Sequence, residues 1–133
     1  MGGVFQVKTI LVLDDEESIR TLLNDILTDE GYRVILSDDG KEVMEILKKE
    51  KVDLIITDMM MPKANGQEIY TSIRVAFAQE GKIDLVPPAI ILTAHPGADK
   101  TQFLLMMEEG IKKVVCKPFQ IEELLNAVEE HIS

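Results

Sequence analysis

The stretch Thr9-Ile10-Leu11-Val12-Leu13-Asp14-Asp15-Glu16-Glu17 decides the fold. Its first part is too short and too uniformly apolar for a surface helix, so it reads as a strand buried on both faces. It ends on four consecutive acids. Downstream, Ile19, Leu22, Leu23, Ile26 and Leu27 recur at helical spacing, and Gly31 supplies a stop. The same alternation then repeats. Residues 33–37 and 52–57 read as the second and third strands, with Val43, Ile46 and Leu47 marking a short helix between them. Ile69, Ile73, Ala76 and Phe77 mark the next helix, which Gly81 closes. After Pro87-Pro88, residues 89–92 form a fourth strand, and a helix runs through Phe103, Leu104 and Met107 to Gly110. Residues 113–116 form a fifth strand, and Ile121, Leu124, Leu125 and Val128 a last helix.

Five β-α units of this kind imply a parallel sheet covered on both faces by helices. Right-handed crossovers make it an open, doubly wound α/β sheet whose site lies at the carboxyl ends of the strands. The chain has 133 residues, the size of one domain. Residues 1–7 read as a leader and 8–133 as the domain. No apolar run is long enough to span a membrane, and the start lacks the features of a signal peptide. The single cysteine excludes an internal disulfide and suits a reducing cytoplasm. A formal net charge of −10 argues against direct binding to nucleic acid or to an anionic membrane, both polyanions.

The residues at the strand ends form a chemically coherent set: Asp14 and Asp15, Asp38 and Asp39, Asp58, Thr93, Lys117. Two like charges about 4 Å apart repel by roughly 4 kcal/mol at an effective dielectric near 20, so converging carboxylates call for a cation. A hard divalent ion with oxygen ligands fits, and magnesium is the expected one. A carboxylate is also a nucleophile able to take a phosphoryl group, which needs metal, a fixed cation and a hydrogen-bond donor around it. Lys117 supplies the cation and Thr93 the hydroxyl.

Leu13-Asp14-Asp15-Glu16, Thr57-Asp58-Met59-Met60-Met61-Pro62 with Gly66, Leu92-Thr93-Ala94 and Cys116-Lys117-Pro118-Phe119 together resemble the signature of two-component response-regulator receiver domains. Four motifs in order, each at an expected strand end, are far more specific than one. The resemblance runs from about Lys8 to the last helix. It implies a flavodoxin-like sheet of order 2-1-3-4-5 with five helices, in a cytoplasmic phosphoprotein of phosphorelay signal transduction rather than an enzyme. Asp58 would accept a phosphoryl group from a sensor histidine kinase or histidine phosphotransfer protein. Asp15, Asp58 and the backbone carbonyl of Met60 would hold Mg2+, with Asp14 acting through water. Thr93 would swing toward the phosphoryl, Lys117 would pair with it, and the Lys117-Pro118 bond would be cis. The face of the fourth strand and the following helix would then switch toward a downstream protein.

The chain also departs from that pattern. Val114 stands where receivers usually carry the aromatic that flips inward with the hydroxyl, and the segments 81–88 and 95–97 are longer than usual. Other readings fare less well. Asp14-Asp15 alone would be a solvated turn, and Asp38-Asp39-Gly40 needs no role beyond one. The run Met59-Met60-Met61 suits flexible packing better than a soft-metal site. Cys116 reads as a packed strand residue before a redox sensor, and His131 as a dipole-favoured helix end. Aspartate-nucleophile phosphatases place a second Asp two residues after the nucleophile, where this chain has Met60. A flavin carrier would have a Ser/Thr/Gly-rich loop in place of the acidic run. A degenerate receiver acting as a scaffold is the remaining alternative.

Met60 and His95 occupy the variable positions two after Asp58 and two after Thr93, beside the path of attacking water. An apolar Met60 cannot orient that water, so the aspartyl phosphate should decay slowly. Met60→Asn should shorten its lifetime, and an unchanged decay rate of isolated phosphoprotein would contradict the assignment.

Overall fold

The computed structural model describes residues 6–38, 40–59, 66–94 and 109–132. Most of the expected leader lies outside these residues, as do Met60, His95 and the helix expected through Phe103, Leu104 and Met107. The described elements are β1 (Thr9–Leu13), α1 (Glu17–Asp29), β2 (Arg33–Ser37), α2 (Val43–Lys49) and β3 (Leu54–Asp58), then α3 (Gly66–Gln79), β4 (Ala89–Thr93), β5 (Ile111–Cys116) and α4 (Ile121–His131). Short 3-10 turns at Gly40–Glu42 and Ile83–Leu85 lead into α2 and β4. All strand pairs are parallel, in the order β2-β1-β3-β4-β5.

Side chains alternate across the sheet, because successive residues of a strand point to opposite faces. Ile10 and Val12 of β1 pack with Leu23 and Leu27 of α1 and with Leu124 and Val128 of α4. Leu11 and Leu13 pack on the other face with Val43 and Leu47 of α2 and with Ile73 and Phe77 of α3. Thus α1 and α4 cover one side, α2 and α3 the other, which is the doubly wound arrangement. The central strands β1, β3 and β4 are buried along their whole length, whereas the edge strands β2 and β5 are partly exposed.

Four strand boundaries differ from the sequence reading: both ends of β3, the end of β4, and the start of β5, which begins at Ile111. Strand β3 takes in Asp58, because Asp58 pairs with Leu92 and the Met59 amide donates to the Leu92 carbonyl at 2.7 Å. Val52 and Asp53 stay outside it; the Asp53 amide donates to Thr9 O and the Asp53 carboxylate accepts from Thr9 N, both at 2.8 Å. Likewise β4 extends to Thr93, opposite Cys116. Asp58 and Thr93 are therefore held by the sheet ladder itself.

At the opposite end of the strands, the buried Tyr70 hydroxyl donates to the Pro87 carbonyl at 2.6 Å. It lies against Gly110, whose φ of 96° is one that side chains disfavour and where a Cβ would collide with the Tyr70 hydroxyl. Tyr70→Phe should cost about 1–3 kcal/mol by leaving that carbonyl without its donor. Gly110→Ala should cost at least as much. Chemical unfolding of both variants measures this, and a Tyr70→Phe protein as stable as the wild type would show that the hydrogen bond adds nothing.

Candidate functional site

Parallel pairing brings the carboxyl ends of β1, β3, β4 and β5 to one edge of the sheet. Leu13 lies opposite Thr57, Asp58 opposite Leu92, and Thr93 opposite Cys116. The residues that follow share that edge. The Lys117 amide donates to the Thr93 carbonyl at 2.6 Å, tying the last turn of β5 to β4. The Lys117–Pro118 peptide bond is cis.

Asp14 is wholly buried, and each of its polar atoms is engaged. Its amide donates to Ser37 O at 3.2 Å, and its carbonyl accepts from the Arg20 guanidinium at 2.7 Å. One carboxylate oxygen, Oδ1, accepts from the Glu16 amide at 2.9 Å. The other, Oδ2, lies 3.2 Å from Lys117 Nζ. That ammonium, on a side chain only 12% exposed, also stands 3.4 Å from Asp58 Oδ2 and 3.8 Å from Glu16 Oε1.

Asp58 is 4% exposed, and its backbone is held from both directions. The Thr57 hydroxyl donates to the Asp58 carbonyl at 3.2 Å, and the Gly66 amide to the Met59 carbonyl at 2.9 Å. A Cβ on residue 66 would collide with the Asp58 carbonyl and approach Thr57 Oγ1 to 2.9 Å. Only glycine lets α3 begin that close beneath Asp58.

The structure thus brings Asp14, Asp58 and Lys117 into contact, with the buried Thr93 at the neighbouring strand end. It does not bring Asp15 with them. Asp15 is exposed, and among the described residues the carboxylates with oxygens within 4.8 Å of one another are those of Asp14, Glu16 and Asp58. The turn closed by Asp14 Oδ1 and the Glu16 amide carries Asp15 outward and returns Glu16 to the site. Val114 is half-buried against the cluster under α2 and α3 and pairs with Ile91. Cys116 is partly buried in β5. Three contributors were not legible beforehand. Glu16 stands within the acidic motif and Thr57 at a strand end with no role of their own in the sequence, and no motif in the sequence singles out Arg20. Helical phase offers a weak signal for Arg20 alone, since the first turn of α1 can reach back to the preceding loop.

Three carboxylates around one ammonium leave the group net negative. Its all-oxygen donors, two of them buried, fit a hard divalent cation such as Mg2+.

Residues 10–129 match the sequence profile of the response regulator receiver domain. The chain is 34% identical to sporulation initiation phosphotransferase F of Bacillus subtilis over 92% of each chain. It is 38% identical to the alkaline phosphatase synthesis transcriptional regulatory protein PhoP of the same organism, over 88% of this chain but only 45% of that relative's length. Among solved structures it resembles the chemotaxis protein CheY4 of Vibrio cholerae, with a TM-score of 0.79, 28% identity and coverage of 95% and 99% of the two chains. A receiver domain from Clostridium thermocellum gives a TM-score of 0.78 at 30% identity, covering 95% and 94%.

Burial works against the Lys117 ammonium. Attraction to Asp14, then to Asp58, the hydrogen bond to Asp14 and the charge of Glu16 outweigh it and raise its pKa above the ordinary lysine value. Such a group stabilises the fold fully below the unfolded lysine value of about 10.4, and that stability is lost as pH climbs through the higher folded value. Lys117→Met should therefore lower the melting temperature at neutral pH, with the gap to wild type narrowing above about pH 10.4. Thermal melts across that range measure it, and a gap independent of pH would refute the ion-pair assignment.

Proposed function

The chain belongs to the response regulator receiver domain family of two-component systems, and we propose that it works there as a phosphoacceptor switch centred on Asp58. The observation that carries this reading is the convergence of Asp58 with Asp14 and Lys117 at one edge of the sheet, at 3.4 Å and 3.2 Å from the lysine ammonium. A carboxylate oxygen of Asp58 attacks the phosphorus of a phosphohistidine. The O–P bond forms as the P–N bond breaks, and the imidazole leaves with the electron pair. Lys117, already poised beside Asp58, moves its charge onto the arriving phosphoryl oxygens, and the Thr93 hydroxyl at the adjacent strand end donates to one of them. Asp15 and Asp58, with the Met60 carbonyl, are the residues proposed to hold Mg2+, with Asp14 acting through water; Asp15, exposed at the turn, would face inward to do so. When bound, the ion neutralises charge on the phosphoryl oxygens.

Phosphorylation adds close to two negative charges at Asp58. Drawing Thr93 toward them displaces the segment after β4, and that face passes the signal to a protein partner. Val114 is too short to swing between buried and exposed positions, so output rests on movement of that segment. Similarity along most of sporulation initiation phosphotransferase F supports a relay to a phosphotransfer protein. Similarity to under half of a transcriptional regulator supports a link to an output domain. The phosphoacceptor chemistry is common to both. Among the described residues no helix is long and apolar enough to cross a membrane, and we place the domain in the cytoplasm with its kinase.

Intact mass after incubation with Mg2+ and phosphoramidate tests the proposal. Wild type should gain one phosphoryl group only when Mg2+ is present, and Asp58→Asn should gain none. Folded wild type that gains nothing, from phosphoramidate or from a phosphorylated histidine phosphotransfer protein, would leave the domain a scaffold.

A further inference from the structure

Glu16 lies outside the set of residues that the receiver resemblance assigns, yet it is one of three carboxylates on Lys117 and part of the group within 4.8 Å. It differs from the other two in exposure. Asp14 and Asp58 side chains are 1% and 5% exposed, whereas that of Glu16 is 57% exposed. Glu16 therefore stands on the solvent side, where both a cation and a phosphoryl donor must enter. Its position is built by the backbone rather than left to chance. The Glu16 amide donates to Asp14 Oδ1, and the Glu16 carbonyl accepts from the Arg20 amide at 3.1 Å as α1 begins.

We propose that Glu16 is a positioning residue of this site, one that strengthens capture of a divalent cation and holds the Lys117 ammonium back from the incoming phosphoryl group. The proposal rests on the phosphoacceptor reading and extends it. Two consequences follow from charge alone. A carboxylate this near the buried pair adds to the attraction on a doubly charged ion, moderated by solvent at its exposed position. The same carboxylate competes for Lys117. When Asp58 becomes an acyl phosphate, its own claim on the ammonium passes to the phosphoryl oxygens, while Glu16 keeps its claim and pulls the other way. It also repels a dianionic donor at the mouth. Removing the charge should therefore weaken metal binding and speed phosphorylation once metal is saturating. Those are opposite effects, and damage to the fold would not produce them together.

The experiment uses Glu16→Gln, which keeps the shape and removes the charge, with Asp15→Asn for comparison. Mn2+ alone is titrated and free ion followed by electron paramagnetic resonance. Glu16→Gln should raise the dissociation constant about three- to tenfold with an unchanged melting temperature in metal-free buffer. At saturating Mg2+, phosphoramidate should then phosphorylate the variant about two- to fivefold faster than wild type. Equal metal affinity of Glu16→Gln and wild type, with loss confined to Asp15→Asn, would overturn the inference and place the third acid at Asp15. Slower phosphorylation of Glu16→Gln at saturating Mg2+ would overturn the restraint on Lys117. A wild-type protein that binds no Mn2+ would instead remove the metal-dependent reading on which the inference stands.

Discussion

The ammonium of Lys117, set between the carboxylates of Asp14 and Asp58, is the contact on which the arrangement depends. It joins the ends of three strands that are distant in sequence, reaching from β5 past β4 to β3 and β1. Without it, two buried carboxylates would face each other in a medium that screens charge poorly. With it, the charges are only partly balanced, since a third carboxylate, Glu16, shares the same cation. A folded, partly buried and still net-negative site of this kind is suited to a divalent cation.

Such a contact requires strand ends that do not move. The sheet supplies this by being covered on both faces, with Leu23, Leu27, Leu124 and Val128 on one side and Val43, Leu47, Ile73 and Phe77 on the other. The hydrogen bonds Met59 N to Leu92 O and Lys117 N to Thr93 O carry the ladder up to the reacting residues. Gly66 allows α3 to start directly against the Asp58 carbonyl. The Asp58 backbone is thus fixed by the sheet and by the start of α3. Val114, short and half-buried on an edge strand, adds no aromatic lever.

Much of this was legible in the chain. The largely apolar segments at 9–13, 52–57 and 89–92 read as strands buried on both faces, and the acids and the lysine after the strands gather at one sheet edge. Parallel topology turns strand order into proximity, so Asp14, Asp15, Asp58, Thr93 and Lys117 could be grouped before any distance was known. Boundaries were less legible. Asp58 and Thr93 fall inside strands because their neighbours' backbone groups find partners across the sheet, and no side-chain pattern signals that.

What the sequence by itself determined is therefore the fold class, through periodicity, the family, through its four motifs, and the set of strand-end residues from which the site is drawn. What only the tertiary structure decided is which acids after β1 face inward. Asp14-Asp15-Glu16 offers three adjacent carboxylates of similar chemistry, and nothing in their order says which faces inward. A hydrogen bond from the Glu16 amide to Asp14 Oδ1, with the Arg20 guanidinium on the Asp14 carbonyl, turns Asp15 to solvent and brings Glu16 to Lys117. That choice belongs to the backbone geometry of one turn.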